Sequence, residues 1–85
     1  MRVRVYVSLK QTVLDPQGKT ICAALQGMGY QEIQGVRQGK YFEIELTGVE
    51  DAAAAKERMV EVAREVLANP VIEDFQVEML GESGD

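Results

Sequence analysis

The chain has 85 residues, a net charge of −5 and one cysteine, which bounds it to one small domain without an internal disulfide and fits a reducing, cytoplasmic setting. Its hydrophobic content of 46% suits a folded globule rather than a disordered segment, and no apolar run is long enough for a signal peptide or a membrane span. Histidine is absent, which removes the commonest general base and metal ligand, and the negative charge disfavours nucleic acid and anionic membranes as partners.

The first predicted element is a half-buried strand. Val3, Val5, Val7 and Leu9 alternate with Arg2, Arg4, Tyr6 and Ser8. A helix follows from about Pro16 to Met28. Asp15 is placed to cap its first N–H groups, and Pro16 sits where a missing N–H costs nothing. Ile21, Ala24, Leu25 and Met28 form its apolar stripe, and Gly29 is placed to end it. A second strand is expected over roughly Glu32 to Gln38, at an edge or bulged because Gly35 interrupts it. Gln38 and Gly39 suit a tight hairpin into a third strand, Tyr41 to Thr47, with Phe42, Ile44 and Leu46 inward.

The second helix is expected from about Glu50 to Ala68, with Ala52, Ala55, Met59, Val62, Ala63 and Val66 buried. Pro70 disfavours helical geometry at Asn69, so the chain must leave extended. The last strand is Ile72 to Met79, with Phe75, Val77 and Met79 inward. Residues 81–85 read as a disordered tail, leaving one domain over 1–80.

The order βαββαβ with right-handed crossovers predicts an α+β two-layer sandwich. Its sheet is four-stranded, antiparallel and ferredoxin-like, in the order 4-1-3-2, with two helices on one face. The charges agree with that order. On the open face, Arg2 and Arg4 of the first strand would lie between Glu43 and Glu45 of the third and Asp74 and Glu78 of the fourth. Residues 1–40 hold six basic and two acidic side chains, whereas 41–85 hold three and twelve. Pairing within the fold is the plain reading of that asymmetry.

No residue set carries catalysis. Glu43 and Glu45 share a strand face, but acid–base work needs burial and a shifted pKa, and nearby arginines neutralise them in the open. Cys22 has no histidine to activate it and reads as structural. There is no CxxC pair for a metal, and Gly27 and Gly29 lack the surroundings of a phosphate loop. Tyr6 and Tyr41 could stack bases on the open face, as in RNA-binding modules of this topology. The surrounding carboxylates argue against it and favour two tyrosines in an oligomer interface. What remains is a small acidic domain with an open sheet face and an edge strand, the profile of an assembly or regulatory subunit. At this size the core is limited, since a chain of about 60 residues buries only about 60% of its unfolded surface, and such domains gain by associating.

Three segments carry a family resemblance. The first runs Val5-Tyr6-Val7-Ser8-Leu9-Lys10 into Leu14-Asp15-Pro16-Gln17-Gly18. The second is Val36-Arg37-Gln38-Gly39-Lys40-Tyr41-Phe42-Glu43. The third is Leu67-Ala68-Asn69-Pro70-Val71-Ile72-Glu73-Asp74-Phe75. In this order and spacing, over about residues 2–80, they resemble PurS, the small subunit of phosphoribosylformylglycinamidine (FGAM) synthase. The resemblance implies a non-catalytic subunit of an ATP-dependent carbon–nitrogen ligase in purine biosynthesis. That complex converts formylglycinamide ribonucleotide, glutamine and ATP to FGAM, glutamate, ADP and phosphate. It further implies a homodimer or homotetramer bridging a glutaminase subunit and a large synthetase subunit. ATP and magnesium would be used by the large partner, with no cofactor in this chain. The alternative is a regulatory domain of the same topology that senses a small ligand at a dimer interface.

The expected strand order brings the loop at Lys10, Asp15, Pro16, Gln17 and Gly18 to the same end of the sheet as Asn69 and Pro70. With Tyr6 and Tyr41 on the open face, these are the candidate interface residues. The plainer reading is that both segments are simply well-made helix boundaries.

Overall fold

The computed structural model describes residues 1–81. The element order is β1 (Arg2–Leu9), α1 (Pro16–Gly27), β2 (Gly39–Glu45), α2 (Ala52–Val62) with a terminal π turn (Ala63–Leu67), and β3 (Glu73–Gly81). The sheet is antiparallel in the order β2-β1-β3, with Arg4 opposite Glu43 on one side and Glu78 on the other. The alternation of β1 places Val3, Val5 and Val7 in the core, where they are fully buried. Above them lie Met59, Ala63 and Ala68, with Val77 beside them on β3.

Two expectations about the sheet are corrected. The first concerns its strand count. The strands present are the first, third and fourth of the expected order, in their expected positions, but residues 33–38 form no strand. This segment, the strap, finds its polar partners on α1 instead. Gln26 Nε2 donates to the Ile33 carbonyl at 2.7 Å, and the Asp15 carboxylate accepts from Gln38 N at 2.7 Å. Gly18 makes the approach possible, because a Cβ there would fall 2.2 Å from the Val36 carbonyl oxygen. No hairpin forms at Gln38-Gly39; Gly39 opens β2 opposite Ser8.

The second correction is that only α2 packs on the sheet. None of the principal packing contacts between elements involves α1. Its cap is as expected: Asp15 accepts from Gly18 N at 3.0 Å, with Pro16 in the first turn. Gly29, at φ 108°, lets the chain turn back. But of the stripe meant for the sheet, Ile21, Ala24 and Met28 are left outside, Met28 being 71% exposed, and only Leu25 is half-buried. Half-buried Cys22, Leu25 and Gln26 instead lie on the more covered side of the helix, where Cys22 and Gln26 contact the strap at Ile33. The chain is elongated as a result. Its radius of gyration is 16.3 Å, against about 12 Å for a compact domain of this length.

Helix α2 starts at the Asp51 cap, whose carboxylate accepts from Ala53 N at 3.0 Å. Its last turn is wider than a regular one, since Ala68 N reaches back five residues to the Ala63 carbonyl at 2.8 Å. The extra residue rotates the apolar face. Ala68 enters the core and Val66, expected inside, is 74% exposed. Gly81, expected in a tail, pairs with Arg2 at the end of β3; the rest of that tail lies outside the described residues.

The π turn makes two substitutions diverge. Met59→Ala is expected to destabilise the protein by about 2–4 kcal/mol in denaturant titrations. Val66→Ala is expected to stay within about 0.5 kcal/mol of the parent. Equal losses would place Val66 in the core and contradict the turn.

Candidate subunit-docking site

The end of the sheet where β1 finishes and β3 begins gathers most of the candidate residues. Lys10 follows β1 and ties it to β3 twice. Its N–H donates to the Ile72 carbonyl at 2.9 Å and its Nζ meets Asp74 Oδ1 at 2.8 Å. The Lys10–Asp74 pair is exposed and adds little stability. Asn69 and Pro70 form the turn before β3. Asn69 Oδ1 accepts from Val71 N at 3.1 Å, and Glu73 Oε1 accepts from Asn69 N at 2.7 Å. The Asn69 carboxamide oxygen is therefore already engaged in closing its own turn.

Asp15, Pro16, Gln17 and Gly18 open α1 at the same end. A cleft of about 240 Å³ lies at the end of β1, with Asp15, Gln17, Gln38, Lys40 and Glu73 among the residues that line it. Of the candidate residues at this end, Asp15 and Gln17 line the cleft, whereas Lys10, Pro16, Gly18, Asn69 and Pro70 do not. Exposed apolar side chains flank them: Leu14 at 64% and Val71 at 79%.

Two residues here were not singled out from the sequence. Arg37 Nη2 donates to the carbonyls of Lys10 at 2.8 Å and Val13 at 3.1 Å, and Gln38 Nε2 donates to Gln17 Oε1 at 2.8 Å. Both stand in the segment expected to be a strand, and no local pattern marks a side chain that will meet a backbone more than twenty residues away.

Tyr6 and Tyr41 lie elsewhere, on the open face. They are cross-strand partners with ring centroids 6.0 Å apart. The Arg4 guanidinium sits 5.0 Å from the centre of the Tyr41 ring and donates through Nε to Glu43 Oε2 at 3.2 Å. Tyr6 donates to Glu78 Oε1 at 2.8 Å. The expected basic strand between acidic ones is present, and it uses the carboxylates that would otherwise repel a nucleic acid's phosphates.

The electrostatics follow from these contacts. The backbone N–H groups of Gln38 and Gly18 hold the Asp15 carboxyl below the usual range, helped by the charge of Arg37. Arg4 holds Glu43 down by hydrogen bond and charge. The Arg4 guanidinium is itself shifted up, first by Tyr6 and then by Glu43. Each shift belongs to a structural contact. Among the described residues no group of His, Cys, Asp or Glu side chains is disposed to hold a metal ion, and no helix is long and apolar enough to cross a membrane.

Comparison with known proteins identifies the family. The family model PurS: Phosphoribosylformylglycinamidine (FGAM) synthase matches residues 2–81. The chain is 46% identical over 79 residues to the phosphoribosylformylglycinamidine synthase subunit PurS of Bacillus subtilis, covering 92% of this chain and 90% of that one. It superposes on the crystal structure of Methanocaldococcus jannaschii PurS with a TM-score of 0.81 at 34% identity, over 91% of this chain and 92% of that one. It also matches a chain in the structure of PurLQS from Thermotoga maritima, with a TM-score of 0.75 at 27% identity, over 93% and 95% of the two chains. The chain belongs to the PurS family.

Depressed carboxyl pKa values set the sign of the acid response. Asp15 and Glu43 contribute stability above the ordinary carboxylate range, about pH 4, and that contribution is lost as pH falls through their lowered folded values. The denaturation midpoint is expected to fall more steeply below about pH 4 in the native protein than in Asp15→Asn, whose side chain does not titrate. Parallel acid limbs in the two proteins would contradict a depressed Asp15.

Proposed function

We propose that this chain is the bridging subunit of an FGAM synthase complex, joining the glutaminase subunit to the ATP-dependent synthetase subunit. PurS is a subunit of FGAM synthase, which acts in purine biosynthesis, and this chain alone is a non-catalytic member of that ligase. The observation that carries the reading is the near-full-length match to PurS proteins, including the chain within PurLQS. The chain's own chemistry supports it. Among the described residues, the shifted ionisable groups Asp15, Glu43 and Arg4 are engaged with backbone and neighbouring strands. ATP and magnesium are assigned to the large partner, and membership of the PurS family sets the ligand-sensor alternative aside.

A bridge acts by position: it keeps the source of ammonia beside its consumer. Two surfaces suit that role. The end of the sheet around Lys10, Gln17 and Asn69, with Leu14 and Val71 beside it, is assigned to the partner subunits. The outer side of α1 and the turn that follows it, with Ile21, Met28 and Tyr30 exposed, are assigned to a second copy of this chain. The elongated shape supports that assignment, since a lone protomer leaves α1 largely off its own sheet.

Mixing the purified chain with glutaminase and synthetase subunits is expected to give glutamine-dependent FGAM formation, while the chain alone turns over none of the substrates. Formation at full rate without the chain would refute the reading. Sedimentation at micromolar concentration is expected to show a dimer or tetramer, and monomer alone would remove the second copy from α1. Gln17→Ala with Asn69→Asp, the latter keeping the acceptor for Val71 N, is expected to weaken assembly. A folded double variant that assembles as the parent does would place the partner-docking surface elsewhere.

A further inference from the structure

We infer that Asp15 and Arg37 form a reciprocal latch that sets the direction of α1 relative to the sheet, and that they are positioning residues for coupling glutaminase to synthetase. The inference rests on the bridging role proposed above. The β1–α1 loop and the strap each contribute one charged side chain to the other's backbone. From the loop, Asp15 is 4% exposed and takes Gln38 N at 2.7 Å while capping α1 through Gly18 N at 3.0 Å. From the strap, Arg37 donates to the Lys10 and Val13 carbonyls at 2.8 and 3.1 Å, with a longer contact to Leu9 at 3.5 Å. A charged group bonded to several backbone dipoles is held more firmly than one in a single exposed ion pair.

The latch matters because of where it lies. Gln26 bonds the strap at Ile33 and Gly18 lets Val36 pass close to α1, so helix and strap form one packed body. That body joins the sheet at Leu9 and at Gly39, which are neighbours because Ser8 and Gly39 are paired. Two attachment points this close make a hinge, and packing on the sheet does little to restrain it. The contacts of Arg37 with Leu9 and Lys10 span that hinge, while Asp15 fastens the end of the strap to the start of α1 beside it. Releasing one of them frees the angle of α1 without unfolding α1 or the sheet. In a subunit whose work is positional, a changed angle separates what binds at its two ends, and small misplacements are costly in rate.

The test uses the full chain in the reconstituted complex and compares the native protein with Arg37→Ala, Arg37→Lys and Asp15→Asn. The readout is the ratio of glutamate released to FGAM formed, with ammonia-dependent FGAM formation as control. Arg37→Ala is expected to raise the ratio roughly threefold or more while leaving the ammonia-dependent rate unchanged. Arg37→Lys, which keeps the charge but not the planar fork, should fall between. In parallel, spin labels at Thr20 of α1 and Gln76 of β3, diluted into unlabelled protein, should give a broader distance distribution in Arg37→Ala. An unchanged distribution overturns the latch. A broadened distribution with an unchanged ratio overturns its coupling role. A native chain that gives no glutamine-dependent product with its partners overturns the bridging reading instead, and leaves the distance measurement to judge the latch. Should Asp15→Asn fail to fold, Arg37→Ala carries the test, since Arg37 is exposed.

Discussion

One carboxylate holds two separate parts of this chain against each other. Asp15 accepts the N–H of Gly18, three residues ahead, and the N–H of Gln38, twenty-three residues ahead. The first contact starts α1 and the second brings the strap back to where α1 began. A carboxylate bearing two backbone hydrogen bonds is strongly favoured in its charged form, and that preference opposes separation of the segments. Gly18 is bound to the same arrangement, because any side chain there would collide with the Val36 carbonyl. This junction works alongside the contacts of Gln26 with Ile33 and of Arg37 with the Lys10 and Val13 carbonyls. With it, the protein has two bodies: a sheet covered by α2, and a helix braced by a strap.

The charge asymmetry becomes intelligible in that division. Ion pairs within the chain take up Arg2, Arg4 and Lys10. Lys19 and Lys40 make no such pair among the described residues, and Arg37 spends its donors on backbone carbonyls. Pairing within the fold therefore accounts for the basic residues of β1 and its end, and not for the rest of the basic half. The acidic outer residues of α2, such as Glu57 and Glu61, are likewise outside these ion pairs. A small domain that leaves complementary charge and apolar side chains exposed on separate bodies is built for assembly rather than for standing alone.

The shifted ionisable groups among the described residues belong to the same scaffold. Each perturbed ionisable group here is shifted by a structural contact: Asp15 by the N–H groups it joins, Glu43 by Arg4, Arg4 by Tyr6 and Glu43. Perturbed groups mark active sites when they face a cavity with a mutually arranged acid, base or nucleophile. Here they face backbone and neighbouring strands, and their effect is rigidity. Rigidity at the junction and along the open face is what a positioning subunit requires.

Local patterns in the sequence were enough for the helix boundaries and the sheet faces. Asp15-Pro16 and Asn69-Pro70 mark chain reversals by rules that act over a few residues, and the alternation of β1 decides which side chains are buried. The placement of arginines opposite glutamates then follows from strand order. The family resemblance, carried by segments spread along the chain, was likewise legible in the residues themselves. Three features were not. The strap reads as a poor strand, because propensity cannot say whether an extended segment will meet another strand or a helix. The π turn moves Ala68 inward and Val66 out, and one added residue per turn leaves no mark in composition. The placement of α1 off its sheet, with Asp15 and Arg37 bonded to backbone more than twenty residues away, is a long-range outcome. Local order is decided by neighbours in the chain, and the sequence alone determined it. Which surfaces meet is decided by contacts between residues distant in sequence, and those only the tertiary structure could choose.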